Sequence, residues 1–237
     1  MTDAPIYLSI DEWNQLLGIN DSYKAPDALW RILKDKQRRE NLFRETLELH
    51  RYQVDVDWFH QYFQEEHAQR KKYGQDFTPN SVSTLLARIV NPDGEDGNYY
   101  EPSAGSGGIV IRKWDEDRCQ HTPFSYRPSM YLYRLDELSD RAVPFLLFNT
   151  MLRGMNAVIV HGDVLTKETK AVYFVQNDAD DHLQFSNLYR MPVNQATADH
   201  LDIVWADGAI YEEIDTPGEW PAHVTGAMQA LQKRSGE

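Results

Sequence analysis

Apolar residues recur with helical spacing through the first part of the chain and with strand spacing after it. Leu29, Ile32, Leu33, Leu42, Phe43, Leu47 and Leu49 follow a period near 3.6. Trp58, Phe59, Tyr62 and Phe63 add a second stripe at i, i+1, i+4 and i+5. Residues 1–73 are therefore expected to form an N-terminal helical region, with a second unit over 74–237. Gly74 and Pro79 interrupt the pattern, and a short helix should follow, capped by Asn80 or Ser81, with Val82, Leu85, Leu86 and Ile89 inward. Pro92-Asp93-Gly94 stops it. From Asn98 the pattern becomes strand, glycine turn, helix, repeated. Strands are expected at Tyr99-Tyr100, Met130 to Leu135, Ala157 to Val160 and Ile203 to Ala206, with helices from Ile109 and over Ser139 to Arg153. A hairpin, Val172 to Val175 with Leu183 to Leu188, intervenes before the last strand. Alternation of this kind predicts an α/β fold with a parallel, doubly wound sheet.

Composition narrows the class. The 237 residues are 41% apolar and 26% charged, as in ordinary globular chains, and the longest apolar run, Ala142 to Phe148, is far too short to span a bilayer. A soluble, cytoplasmic protein is expected. A single cysteine, Cys119, excludes an internal disulfide, and the eight scattered His include no His-x-x-x-His pair, so no metal is expected. The net charge is −13, of which −2 falls in residues 1–91 and −11 in 92–237. Seven basic and four acidic groups lie between Arg31 and Arg51, and Arg70, Lys71 and Lys72 form a triplet. These read as a solvated helix face or as a phosphate-contacting strip. The overall charge opposes strong autonomous binding to DNA.

The chemistry is expected at the carboxyl ends of the strands. In Glu101-Pro-Ser-Ala-Gly-Ser-Gly-Gly108, Gly105, Gly107 and Gly108 let the backbone turn sharply into a helix whose free amides favour an anionic group. A glycine loop alone fits a plain tight turn as well as a dinucleotide site. Asp136, ending the next strand, suits a ribose diol, because a carboxylate accepts both hydroxyl hydrogens. Asp163, after the third strand, could accept from an exocyclic amine. Together these describe a nucleoside-bearing ligand lying across successive strand ends.

Five ordered segments resemble the DNA adenine-N6 methyltransferases of the type I restriction-modification kind, in their modification subunit. Tyr-Gly-Gln-Asp-Phe-Thr-Pro, residues 73–79, resembles the family's Gly-Gln-x-Phe/Tyr-Thr-Pro, implying that Thr78 holds the methionine part of S-adenosylmethionine. Residues 101–108 resemble its Asp-Pro-x-x-Gly-x-Gly-Gly loop, which implies cofactor contacts from Glu101, Ser103, Ala104, Gly105 and Gly107. Leu132 to Asp136 resembles the strand ending in a ribose-binding acid, with Asp in place of the usual Glu. Phe148-Asn149 through Arg153-Gly154 resembles the Asn…Gly segment of the next helix, and Gly162-Asp163-Val164-Leu165 matches Gly-Asp-x-Leu, whose Asp contacts the adenine amine. The resemblance implies a Rossmann-like S-adenosylmethionine-dependent methyltransferase fold.

A sixth segment departs from the family. Where Asn-Pro-Pro-Phe/Tyr would hold and stack the target adenine, this chain has Asp207-Gly208-Ala209-Ile210. Asp207 is the remaining catalytic candidate, able to accept one amine hydrogen, while Gly208 and Ala209 lack proline geometry and Ile210 lacks a ring. The stretch after Ile210 is too short for the later strands and target-recognition region of the family, so a truncated version of the fold is expected. Two functions follow: an adenine methyltransferase acting on DNA with another subunit, or a binding protein that keeps the cofactor pocket but not the transfer, in a restriction or mobile-element system. Trp13, Trp30, Trp58 and Phe59 make the N-terminal helices the expected docking element, for a restriction-modification partner or for a second copy of the chain. Glu212, Glu213 and Asp215 read as a solvated acidic loop.

Overall fold

The computed structural model of the chain describes residues 7–60, 62 and 98–216. The expected boundary at 73/74, the helix from Asn80 and the Arg70 triplet lie outside them. Three helices open the chain: α1 (Ile10–Leu17), α2 (Ala25–Leu33) and α3 (Lys36–Leu49). Ser9 and Glu12 close a reciprocal capping box on α1, and the Asp35 side chain caps α3 by accepting from the Arg38 amide. After β1 (Asn98–Pro102) come α4 (Gly108–Cys119), β2 (Leu132–Glu137), α5 (Val143–Leu152), β3 (Ala157–Gly162), β4 (Glu168–Gln176), β5 (Asn187–Arg190), α6 (Gln195–Leu201) and β6 (Val204–Trp205). Every residue of α5 is buried, which suits a helix apolar all round.

The sheet runs β1-β2-β3-β4-β5, with β6 also paired to β4. β1, β2 and β3 are parallel, as the βαβ pattern predicted. The expected hairpin is present as the antiparallel pair β4–β5, in register from Tyr173↔Arg190 to Gln176↔Asn187. β4 also runs antiparallel to β3, and β6 runs parallel to β4, so β6 opposes β1–β3. The expected fourth parallel strand is thus corrected. An antiparallel strand inserted after β3 reverses the direction on which β6 builds.

Strand alternation divides the core in two. Tyr133, Leu135, Ala157, Ile159, Ala171, Tyr173 and Val175 face α4, α5 and the N-terminal helices in one large cluster, while Val160 and Val172 meet α6 on the other face. Among the described residues the helices lie almost wholly on one face, so the double winding is not seen there. The large cluster includes Trp13, Trp58 and Phe59, all fully buried, and Trp30 packs edge-on to Tyr173. Trp13 and Phe59 lie 4.4 Å apart between ring centres, and Phe59 and Phe148 of α5 5.2 Å. Buried as they are, Trp13, Trp58 and Phe59 form no exposed patch that could serve as the expected docking element. The apolar stripes of α1–α3 had a nearer surface to bury against. The acidic loop is corrected as well: Asp215 grips the buried Arg39 through both carboxylate oxygens, and Glu212 pairs with Lys34 at 2.7 Å. No described helix is long and apolar enough to cross a membrane.

Candidate functional site

The glycine loop joins β1 to α4 at the carboxyl end of the parallel strands. Ser103, Gly105 and Gly107 have φ of 65°, 60° and 101°, so left-handed residues alternate along it. Such alternation turns successive amides inward and makes a concavity suited to negative charge. Gly107 caps α4, and a Cβ there would come within 3.1 Å of Leu146 on α5 as well as straining the backbone. The Ala104 amide donates to the backbone carbonyl of Asp136 at 3.0 Å, which ties the loop to the end of β2.

Three ionisable groups end the three parallel strands on this face: Glu101 on β1, Glu137 on β2 and His161 on β3. Glu101 registers with Leu135, and Glu137 with His161. Glu101 is 6% exposed, takes the Tyr99 hydroxyl at 3.3 Å and accepts from the Val110 amide in the first turn of α4. Burial, reinforced by the nearby Glu137, pushes its pKa up to about 8. Glu101 thus sits behind the loop as a neutral cap. Glu137 lies at the loop itself, taking the Gly105 amide at 2.7 Å on one oxygen and the Ser139 amide at 2.7 Å on the other. His161 Nε2 lies 2.9 Å from Asp140, which also pairs with Lys170 at 2.7 Å; burial holds the imidazole below its usual pKa.

Asp136 points to the other face of the sheet. It accepts from the Tyr100 hydroxyl at 3.0 Å and from Arg134 Nε at 3.2 Å. There it lines a cavity of about 240 Å³ with Asp163, Gly162, Val164, Lys167 and Asp202. The structure thus brings Asp136 and Asp163 together, and puts Glu137, not Asp136, against the loop amides. Sequence reasoning passed over Glu137 by one residue. Its signal was period two: Tyr133, Leu135 and Glu137 share the core-facing side of β2, and Asp136 does not. Asp163 accepts the Leu165 amide at 2.8 Å on one oxygen. Leu138 and Val164, the residues after Glu137 and Asp163, are exposed apolar side chains at neighbouring strand ends. Gly162 is required by packing, since a Cβ there would lie 2.5 Å from the Glu168 carbonyl.

Asp207 is exposed, in a turn closed by the Ala209 amide on the Ala206 carbonyl. It follows a strand that runs against β1–β3 and stands four strand spacings from β1, about 19 Å along the sheet. The structure does not bring it to the loop. Thr78 lies outside the described residues.

A family model described as N-6 DNA methylase matches residues 56–190, more than half of the chain and every element from β1 to β5. A search of the curated proteins finds no match.

Proposed function

The chain belongs to the N-6 DNA methylase family, and we propose accordingly that it binds S-adenosylmethionine across the ends of β1, β2 and β3. When bound, that cofactor supplies an electrophilic methyl group. The observation carrying the proposal is the contact between the Gly105 amide and Glu137, which joins the glycine loop to a carboxylate on the neighbouring strand. Glu137 replaces Asp136 as the acceptor for the ribose hydroxyls, because it lies against the Gly105 amide of the loop while Asp136 faces the opposite side of the sheet. Asp163, which follows the last residue of β3, takes the adenine amine with the oxygen that does not hold the Leu165 amide, and Leu138 and Val164 offer apolar surface to the purine. Ser103, Ala104, Gly105 and Gly107 contribute backbone, Glu101 supports the loop from behind, and Thr78 remains assigned to the methionine end.

A second reading, cofactor binding without methyl transfer, is favoured by the direction of β6, which carries Asp207 away from the glycine loop. On that reading the chain serves a restriction-modification or mobile-element system as a regulatory or decoy subunit. On either reading DNA contact falls to another subunit, which the charge of −13 supports. Calorimetric titration with S-adenosylmethionine tests the binding. The wild type should bind, Glu137→Gln should bind at least tenfold more weakly, and Asp136→Asn should change little; no binding by the wild type at millimolar cofactor refutes the proposal. Methyl transfer to mixed DNA by the isolated chain, abolished by Asp207→Ala, would overturn the second reading.

A further inference from the structure

The glycine loop is held from beneath by a closed ring of buried polar groups contributed by three separate parts of the chain. Ser106 stands between the left-handed Gly105 and Gly107. Its hydroxyl donates to Asp57, and its carbonyl accepts from Asn149 Nδ2 on α5 at 2.7 Å. The same Nδ2 donates to Asp57 at 3.0 Å, while Asn149 Oδ1 accepts from Arg153 at 2.9 Å. With two acceptors on the nitrogen and a donor on the oxygen, the amide orientation is fixed. Arg153 closes the ring by donating to the Val54 and Val56 carbonyls at 2.8 and 2.7 Å, in the segment that carries Asp57. The Phe59 amide supplies a further donor to Asp57.

Every member is at least nine-tenths buried: Asp57 2%, Ser106 1%, Asn149 0% and Arg153 4% exposed. Taking an acid and a guanidinium this far from water is costly. The proposed ligand contacts do not use these groups. Asp57 and Asn149 both reach the loop, one through the hydroxyl and the other through the carbonyl of Ser106. A segment with three left-handed residues in five has much conformational freedom to lose, so a ligand that meets it unbraced must supply the ordering itself.

We propose that Asp57, Ser106 and Asn149, with Arg153 anchoring them, form a positioning brace that presets the glycine loop for its ligand. The N-terminal region thereby becomes part of the cofactor site without touching the cofactor. This rests on the cofactor reading above, although the preset loop is a property of the ligand-free chain.

The test uses the full chain and two conservative variants, Ser106→Ala and Asp57→Asn. In the ligand-free protein, hydrogen exchange at the Gly105 and Gly107 amides should speed up at least tenfold in both. Affinity for S-adenosylmethionine should fall at least tenfold. Val175→Ala, a core change on β4 outside the ring, serves as the control: it should lower Tm while leaving both readouts within twofold of the wild type. If Ser106→Ala and Asp57→Asn lower Tm but keep wild-type loop exchange, the ring is merely structural and the inference is overturned. Faster loop exchange with unchanged affinity overturns it too. If the wild type binds no S-adenosylmethionine, the cofactor reading fails, and loop exchange alone still decides whether the brace presets the loop.

Discussion

Replacing Glu101 by Gln isolates a carboxyl behind the loop whose pKa burial drives up to about 8. The folded chain holds that proton to about pH 8, whereas an unfolded chain releases it near the ordinary glutamate value of 4.5. Between these values the native state binds more protons than the unfolded state, so stability falls as pH rises through the window. Each unit is worth about 1.4 kcal/mol, and most of three units lies between pH 5 and pH 8, giving a loss of about 3 kcal/mol. Gln keeps an oxygen for the Val110 amide and carries no charge at any pH. Glu101→Gln should therefore match the wild type within about 1 kcal/mol at pH 5 and exceed it by about 3 kcal/mol at pH 8. Urea unfolding of both proteins at the two pH values provides the measurement, with Asp57 and the other titrating groups common to both. An unchanged difference between the two proteins at pH 5 and pH 8 would refute the reasoning, because it would mean that folding does not raise the Glu101 pKa.

Gly162→Ala forces a Cβ to within 2.5 Å of the Glu168 carbonyl and 2.8 Å of the Thr169 Cα, both backbone, so β3 and β4 must part locally. A loss of about 2 kcal/mol or more is expected, read as a fall in Tm, and an unaltered Tm would show that β3 and β4 part there at no cost. Asp215→Ala strips the carboxylate from Arg39, which is 1% exposed, and should cost about 3 kcal/mol in chemical denaturation. A cost below about 0.5 kcal/mol would mean that the pair behaves as a surface contact.

What the sequence disclosed depended on how local each signal was. The glycine loop and the parallel strands β1–β3 were legible because their cues, glycines after an apolar run and acids at its end, lie within a few residues. That Glu137 and not Asp136 meets the loop amide was not legible, because a one-residue shift along a strand exchanges the two faces of the sheet, and two adjacent acids leave the choice to tertiary packing. The direction of β6 was not legible, since its own sequence is the same whichever neighbour it joins. The aromatics of residues 13–59 announced a buried surface but not its partner, which proved to be α5 and the sheet. Asp57 carried no signal at all: it sits in an irregular segment, and only the folded chain brings it under Ser106.

The contact between Arg39 and Asp215 spans 176 residues of chain, and this separation sets a schedule for folding during synthesis. At roughly 5–20 residues per second, about 10–35 s pass between the appearance of the arginine and that of its partner. For much of that interval α1–α3 lack α5, whose Phe148 later packs on Trp13 and Phe59. Helices of this length are marginal in water when unsupported, so the nascent chain carries sticky aromatic surface until α5 emerges. A core gathered from such distant stretches closes large loops before it gains its contacts, which makes folding slow and a holding chaperone valuable.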